Sequence, residues 1–372
     1  MKDLRVEKLA KMLLTHSVEL KENESILIEL KSYDSIELGK ELLKQAYALK
    51  AKPYLKIWDY QAQRITLENA TQENMEDLLD IDLYMMKKMD AYIKIYSENN
   101  SFEFAHISSD NMDLYKRCYV KPLHYDYRVN NTKWCLLMYP NHSIAQLAKM
   151  CLEDYEEFFF NSCIVDYAKM GKSMDILMDL LKRTDKVRVT AKDTDITFSI
   201  KGIGCKKCYG KRNIPDGEVY SAPVKDSING IITYNTPSIY NGVAFENIRF
   251  VFKDGKIIEA TCNNTKKLNK ILDIDEGARY IGEFALAVNP YITRPMLNSL
   301  FDEKIAGSIH LTPGASYKEV PNGNDSSIHW DLVLLQTPEY GGGEIWFDDK
   351  LIRLDGRFVL PEFECLNPEN LK

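Results

Sequence analysis

The C-terminal half of this sequence carries scattered carboxylates interleaved with two histidines and a tyrosine, each set among glycine- or proline-marked turns. In order they read NIPDGEV with Glu218, DEGARYIGEFAL with Glu283, FDEKIAGSIHLTPGASY with Glu303, His310 and Tyr317, and SSIHWDLVLL with His329 and Asp331. Oxygen donors mixed with imidazoles are the ligand types that hold one or two hydrolytic divalent cations. The chemistry implied is metal-assisted hydrolysis.

Each position also fits a plainer role when taken alone. His329 and Asp331 stand two apart in a strand-like run, so both side chains leave one face, with Trp330 and Leu332 on the other. They could share a metal or simply hydrogen-bond on a sheet surface, with Ser326 and Ser327 nearby as supporting donors. His310 closes the apolar step Ser-Ile-His-Leu before the turn at Thr312-Pro-Gly-Ala315, and an isolated histidine there can be an ordinary core or surface residue. Tyr317 lies beyond that turn; its phenol can donate to a developing oxyanion, but the chain holds 22 tyrosines, so its presence alone decides nothing. Glu283 follows Gly282, whose missing side chain admits a close neighbour, and Glu276 sits seven residues before it on the same helical face. Glu218 leaves a turn and could be merely solvated. Cys205-Lys-Lys-Cys208 has no second pair and reads as a loop with incidental cysteines.

These residues need elements to position them. Glycine usage divides the chain: only Gly39 and Gly171 precede residue 200, and the other sixteen follow it. Before that point short β-branched or aromatic runs, Ser25–Leu30, Pro53–Trp58, Ala91–Tyr96 and Lys133–Tyr139, alternate with helical periodicity over Leu38–Leu49, Met75–Met89 and a segment near Met112–Arg117. That order predicts a βαβ array, a parallel sheet covered by helices. Two further helices, Asp154–Lys169 and Ser173–Arg183, lead to a boundary near residue 185. Beyond it Lys186–Thr190, Asp195–Lys201, Gly230–Tyr234, Val243–Phe252 and Lys256–Thr261 read as strands, and Asp275–Ala287 as a helix opened by acidic residues. The expectation is an α/β domain over residues 1–185 and a mostly antiparallel, β-rich α+β domain over 186–372, which would carry the site on its loops and turns.

Composition sets outer limits. A chain of 372 residues is long enough for two domains. A formal charge of -7 repels phosphate backbones and argues against nucleic acid as a partner. No apolar stretch reaches membrane-spanning length, and the charged start reads as an amphipathic helix rather than a signal peptide. Eight cysteines without framework spacing suit reduced thiols in a cytoplasmic protein. A ligand-binding protein built on a nucleotide site is disfavoured, because the first half has no GxGxxG or Walker-type loop to cradle a phosphate.

From about Thr194 to Val359 the sequence resembles the catalytic half of the thermophilic metalloaminopeptidases, the aminopeptidase T, aminopeptidase S and PepS group. The motifs that carry the resemblance are Thr194-Asp-Ile-Thr-Phe198, Asn213-Ile-Pro-Asp-Gly-Glu-Val219, Asp275-Glu-Gly-Ala-Arg279 with Gly282-Glu283, Phe301-Asp-Glu303, His310, Gly314, Tyr317, Ser327-Ile-His-Trp-Asp331, Gly343-Glu-Ile345 and Asp355-Gly-Arg-Phe358. The resemblance implies two divalent metal ions held by Glu218, Glu283, His310, His329 and Asp331, with Tyr317 at the family's site tyrosine. Glu303 matches a further acidic position, although Lys-Ile-Ala-Gly-Ser-Ile separates it from His310 by more than the commoner family pattern. It also implies a homodimer whose sites face a chamber, release of N-terminal residues from short peptides by a metal-activated water, and catalysis by Glu283 or Glu303 with Tyr317. Another metal-dependent hydrolase, a dipeptidase or amidase, would use the same ligands.

Overall fold

The computed structural model describes residues 3–100, 102–240 and 242–372. The chain separates into two compact units, Met1–Ile164 with Gly210–Ile214, and Val165–Tyr209 with Pro215–Lys372.

The first unit has the expected parallel sheet. Its strands run in the spatial order Lys52–Ile57, Ser25–Leu30, Ala91–Tyr96, Lys133–Met138 and Asn213–Ile214, and every pairing is parallel. Ala91–Tyr96 is buried along almost its whole length, as a central strand covered on both faces must be. The helices begin where side chains satisfy the free N–H groups of the first turn: Thr71 caps Gln72–Met86, Asp59 caps Tyr60–Glu68 and Asn141 caps His142–Leu147. The helical periodicity near Met112 belongs to Ser109–Tyr115, which continues as a wider-turned helix through Lys116–Arg128, with Pro122 inside it.

The boundary expected near residue 185 falls instead between Ile164 and Val165, and the chain briefly rejoins the first unit at 210–214. The helices around it are Leu152–Cys163 and Tyr167–Leu181, the second capped by Asp166, so the break lies earlier than its periodicity suggested. Side-chain bonds tie this second helix to the C-terminal unit. Asp216 N donates to Tyr167 Oη, Lys207 Nζ to the Gly171 carbonyl, and Cys205 Sγ to the Met178 carbonyl.

The second unit is mostly antiparallel, as expected. An eight-stranded sheet is built from Lys186–Ala191, Thr194–Ser199, Asn229–Thr233, Arg249–Lys253, Lys256–Thr261, Gly343–Phe347, Lys350–Leu354 and Arg357–Phe358. The run expected as one strand from Val243 to Phe252 is broken at Asn247, whose φ of 54° leaves extended space, into Val243–Phe245 and Arg249–Lys253.

A five-stranded antiparallel sheet matters most for function. Its order is Val333–Leu335, Ser308–Pro313, Ile281–Ala287, Glu218–Ser221 and Lys206–Cys208. Here the predicted Asp275–Ala287 helix is overturned. Glu276–Arg279 is a short 3-10 turn capped by Asp275, and Ile281–Ala287 is a strand buried at all seven positions. A strand covered on both faces shows no alternation, so its pattern mimics a buried helix. Glu276 is exposed in the turn and gives Glu283 no support.

Candidate metal centre

Cross-strand register shows why the carboxylates and imidazoles converge. Cys208 stands opposite Glu218, Glu218 opposite Ala287, Tyr220 opposite Ala285, Ala285 opposite His310, and His310 opposite Val333. Residues paired across strands share a face, and so do residues two apart along one strand. Glu218, Glu283 and His310 therefore project from one face of the sheet. The other face carries Val219, Phe284, Leu286, Ile309, Leu311 and Leu334, all buried apolar residues. Burial of that apolar face anchors the sheet and holds the polar face in place.

His329 and Asp331 arrive on an extended segment rather than a regular strand. His329 makes an isolated antiparallel bridge with Gly314, and the ladder resumes only at Val333. Glycines allow the approach. A Cβ on Gly314, whose φ is 111°, would lie 2.0 Å from the Ile328 carbonyl oxygen; one on Gly282 would lie 2.2 Å from that of Ala315. Asn324 Nδ2 donates to the Gly277 and Gly314 carbonyls, and Asn322 Nδ2 to those of Pro223 and Ile281, which pins the loop between Tyr317 and His329. Ser326 and Ser327 donate to Asp275, so they brace the loop rather than the ligands.

The ligand atoms lie close together. His310 Nε2 is 3.5 Å from both Glu218 Oε2 and Glu283 Oε1; His329 Nε2 is 3.1 Å from Glu283 Oε2 and 3.3 Å from Asp331 Oδ1. Donors bound to one cation at ~2.1 Å stand roughly 3.0–3.4 Å from each other, so these gaps match a coordination shell. Glu218 Oε2 is buried without a hydrogen-bond partner, an arrangement too costly to leave unsatisfied. His329 Nδ1 donates to the Ala315 carbonyl at 2.8 Å, which orients the ring and aims Nε2 at the carboxylates. Thr312 Oγ1 donates to Asp331 Oδ1 at 2.8 Å and orients that carboxylate. The donor set fits divalent cations.

Charge points the same way. Burial disfavours an imidazolium, yet Glu218, Glu283 and Asp331 outweigh it and push His310 up to about 9. Burial also opposes charge on His329, but Asp331 and Glu283 push it up to about 12. Protons thus sit on the rings where a cation would, and metal uptake must displace them. Burial raises the Glu303 pKa well above the carboxylate range; Lys304 offsets part of this, while Asp331 and Glu218 add to it. Tyr317 packs its ring 4.7 Å from that of His329 and 5.5 Å from that of Tyr220, half exposed. Partial burial and the Glu283 and Asp331 carboxylates raise its pKa, so the hydroxyl stays protonated and able to donate.

All seven residues singled out from sequence therefore lie in or beside one cluster. Sequence reasoning missed Lys304, Asp216 and Thr312, and it took Cys208 for an incidental loop cysteine, whereas Cys208 ends the strand Lys206–Cys208 opposite Glu218. Asp216 had a signal, since it precedes Glu218 by two residues, the spacing that marked His329 and Asp331.

The chain from residue 2 to 340 matches the family model of the thermophilic metalloproteases (M29). It belongs to this family. Aminopeptidase PepS of Streptococcus thermophilus is 24% identical over 388 residues, covering 88% of this chain and 91% of that protein. Aminopeptidase 2 of Geobacillus stearothermophilus is 33% identical over 141 residues, a third of this chain (33%) and 34% of its own. Among solved structures, wild-type AmpT from Thermus thermophilus superposes with a TM-score of 0.81 at 18% identity, over 96% of this chain and 99% of that one, which establishes the shared fold.

Proposed function

We propose that this metalloprotease is a metal-dependent aminopeptidase whose centre holds two divalent cations about Glu283. The observation that carries the reading is a pair of overlapping donor triads. Glu218, Glu283 and His310 form one, Glu283, His329 and Asp331 the other, and within each triad the ligand atoms lie within 4.8 Å of one another. Glu283 belongs to both, with Oε1 toward His310 and Oε2 toward His329.

Cations bound there would act as Lewis acids on the scissile carbonyl and make an attacking water more acidic. The chain supplies the rest. Tyr317 donates a hydrogen bond to the developing oxyanion, and a site carboxylate, Glu283 or Glu303, carries a proton to the leaving amine. The sheet and the pinned 317–329 loop hold these groups in place before substrate arrives. An anionic pocket suits the free α-amine of a peptide, and this selects the N-terminal residue.

The names of the relatives, all aminopeptidases, support this activity. Short peptides as substrates and a homodimer enclosing a chamber are carried by the family resemblance. A reducing, cytoplasmic setting suits eight free cysteines. Among the described residues no helix is long and apolar enough to cross a membrane.

Metal analysis of the purified protein, paired with a chelator-sensitive assay on free and N-acetylated peptides, tests the proposal. Stepwise cleavage of free peptides that stops on acetylation and on chelation is expected. Cleavage of acetylated peptides would instead favour a broader peptidase or amidase.

A further inference from the structure

Lys304 places a full positive charge inside this carboxylate cluster. It is 2% exposed, and its Nζ lies 2.6 Å from Glu218 Oε1, 2.7 Å from Glu303 Oε1 and 4.0 Å from Asp216 Oδ1. A lysine is almost never so deeply buried unless it is paired. Around it stands a third donor group: Cys208, Asp216 and Glu218 each offer an atom within 4.8 Å of the others. Such a thiol and two carboxylates would suit a metal ion, but an ammonium already bonds one of the carboxylates and faces the other.

Glu218 belongs to both groups, and its two oxygens are divided between them. Oε1 accepts from Lys304, while Oε2 faces His310 at 3.5 Å without a hydrogen-bond partner. A carboxylate so committed can give a metal one oxygen, not two. A catalytic metal needs a coordination position left open for water or substrate, and one-oxygen ligation preserves it.

We infer that Lys304 is a positioning residue of the metal centre: its ammonium restricts Glu218 to one-oxygen ligation, anchors Glu303 beside the ligands, and fills the Cys208–Asp216–Glu218 position in place of a further cation. This rests on the metal-centre reading above. Without the ammonium, Glu218 Oε1 is released to chelate, and the Cys208–Asp216–Glu218 group loses the cation bonded to Glu218 and becomes open to a metal.

The test replaces Lys304 by Met, which keeps an unbranched side chain without the charge, and by Gln, which keeps a donor. Wild type and variants are dialysed against Co²⁺ or Zn²⁺, and metal per chain is counted by mass spectrometry. The variants are expected to hold about one equivalent more than wild type, and the Co²⁺ form of Lys304→Met to gain a thiolate-to-cobalt charge-transfer band that a Cys208→Ser second change removes. Turnover should fall roughly 10- to 100-fold with KM little altered, the size usual for losing a group that orients ligands. Equal metal content, no new band and unchanged kcat would overturn the inference. A second measurement needs no variant: in wild-type crystals soaked with excess Zn²⁺, anomalous scattering should show no ion between Cys208 and Glu218, and an ion there would overturn it. Failure of the underlying reading looks different, because wild type itself would then hold no metal and resist chelation.

Discussion

Among the described residues each unit holds a cluster of buried charge, and the two are balanced in opposite ways. In the N-terminal unit Glu29 lies 3.5 Å from Lys94 and 4.0 Å from Lys31, and Asp82 lies 2.5 Å from Lys56 while accepting from Tyr119. Lys31 also donates to Gln63 and sits 4.3 Å over the Trp58 ring. Lysines there match or outnumber the carboxylates, so the chain compensates its own anions. In the C-terminal unit Asp216, Glu218, Glu283, Glu303 and Asp331 converge with Lys304 and two imidazoles, so carboxylates outnumber the cationic groups. Desolvated charge is tolerated only when it is paired. A self-paired cluster therefore serves as architecture, whereas a cluster with surplus anions calls for a cation from outside.

The largest expected effect breaks the second cluster. His329→Ala or Asp331→Ala should abolish peptidase activity and remove about one metal equivalent per chain, because each deletes a ligand. Metal content is read by mass spectrometry. Full metal occupancy in both variants would remove these residues from the ligand set. Next comes Tyr317→Phe, which should keep the metal and lower kcat roughly 10- to 1,000-fold, as for a lost oxyanion donor. If metal is lost in parallel, Tyr317 is a ligand instead.

Glu29→Gln sharpens the comparison from the other side. It leaves Lys94 and Lys31 without their buried counter-charge and should cost about 3–5 kcal/mol of stability in urea unfolding, with metal content unchanged. A loss of metal in this variant would mean that the two clusters are not independent.

The smallest effect is a pH dependence. Burial, with Lys94 nearby, lowers Lys31 to about 7 from the ordinary lysine value of 10.5. The unfolded chain then holds a proton that the folded chain lacks between pH 7 and about 10, so the Lys31 contribution to stability rises with pH across that window. Lys31→Met should flatten that rise, and its gain over wild type should be greatest below pH 7. A wild-type-minus-variant difference independent of pH would show that Lys31 keeps an ordinary pKa.

How much of this was legible in the sequence depended on what each signal required. His329 and Asp331 were legible because two residues on one side of an extended backbone need nothing but extension, although most of that segment lies outside any regular strand. Glu283 was recognised as a residue but placed on the wrong element. IGEFALA is buried throughout, and the seven-residue step from Glu276 to Glu283 fits two helical turns equally well. The first unit's parallel sheet followed from alternating apolar runs. The boundary did not, because Tyr167–Leu181 looks like any amphipathic helix until its hydrogen bonds to the 205–216 segment are known. Lys304 was invisible for a physical reason: a lysine beside a glutamate normally reads as a solvated pair, and only tertiary burial turns it into an internal cation.

The most direct test of the central claim is a metal titration of chelator-stripped protein, with hydrolysis of a short unblocked peptide followed at each addition of Zn²⁺ or Co²⁺. Activity absent at the start and complete at two equivalents per chain is the predicted result, with Glu283→Gln unable to recover at any loading. Full hydrolysis by the stripped protein would contradict it.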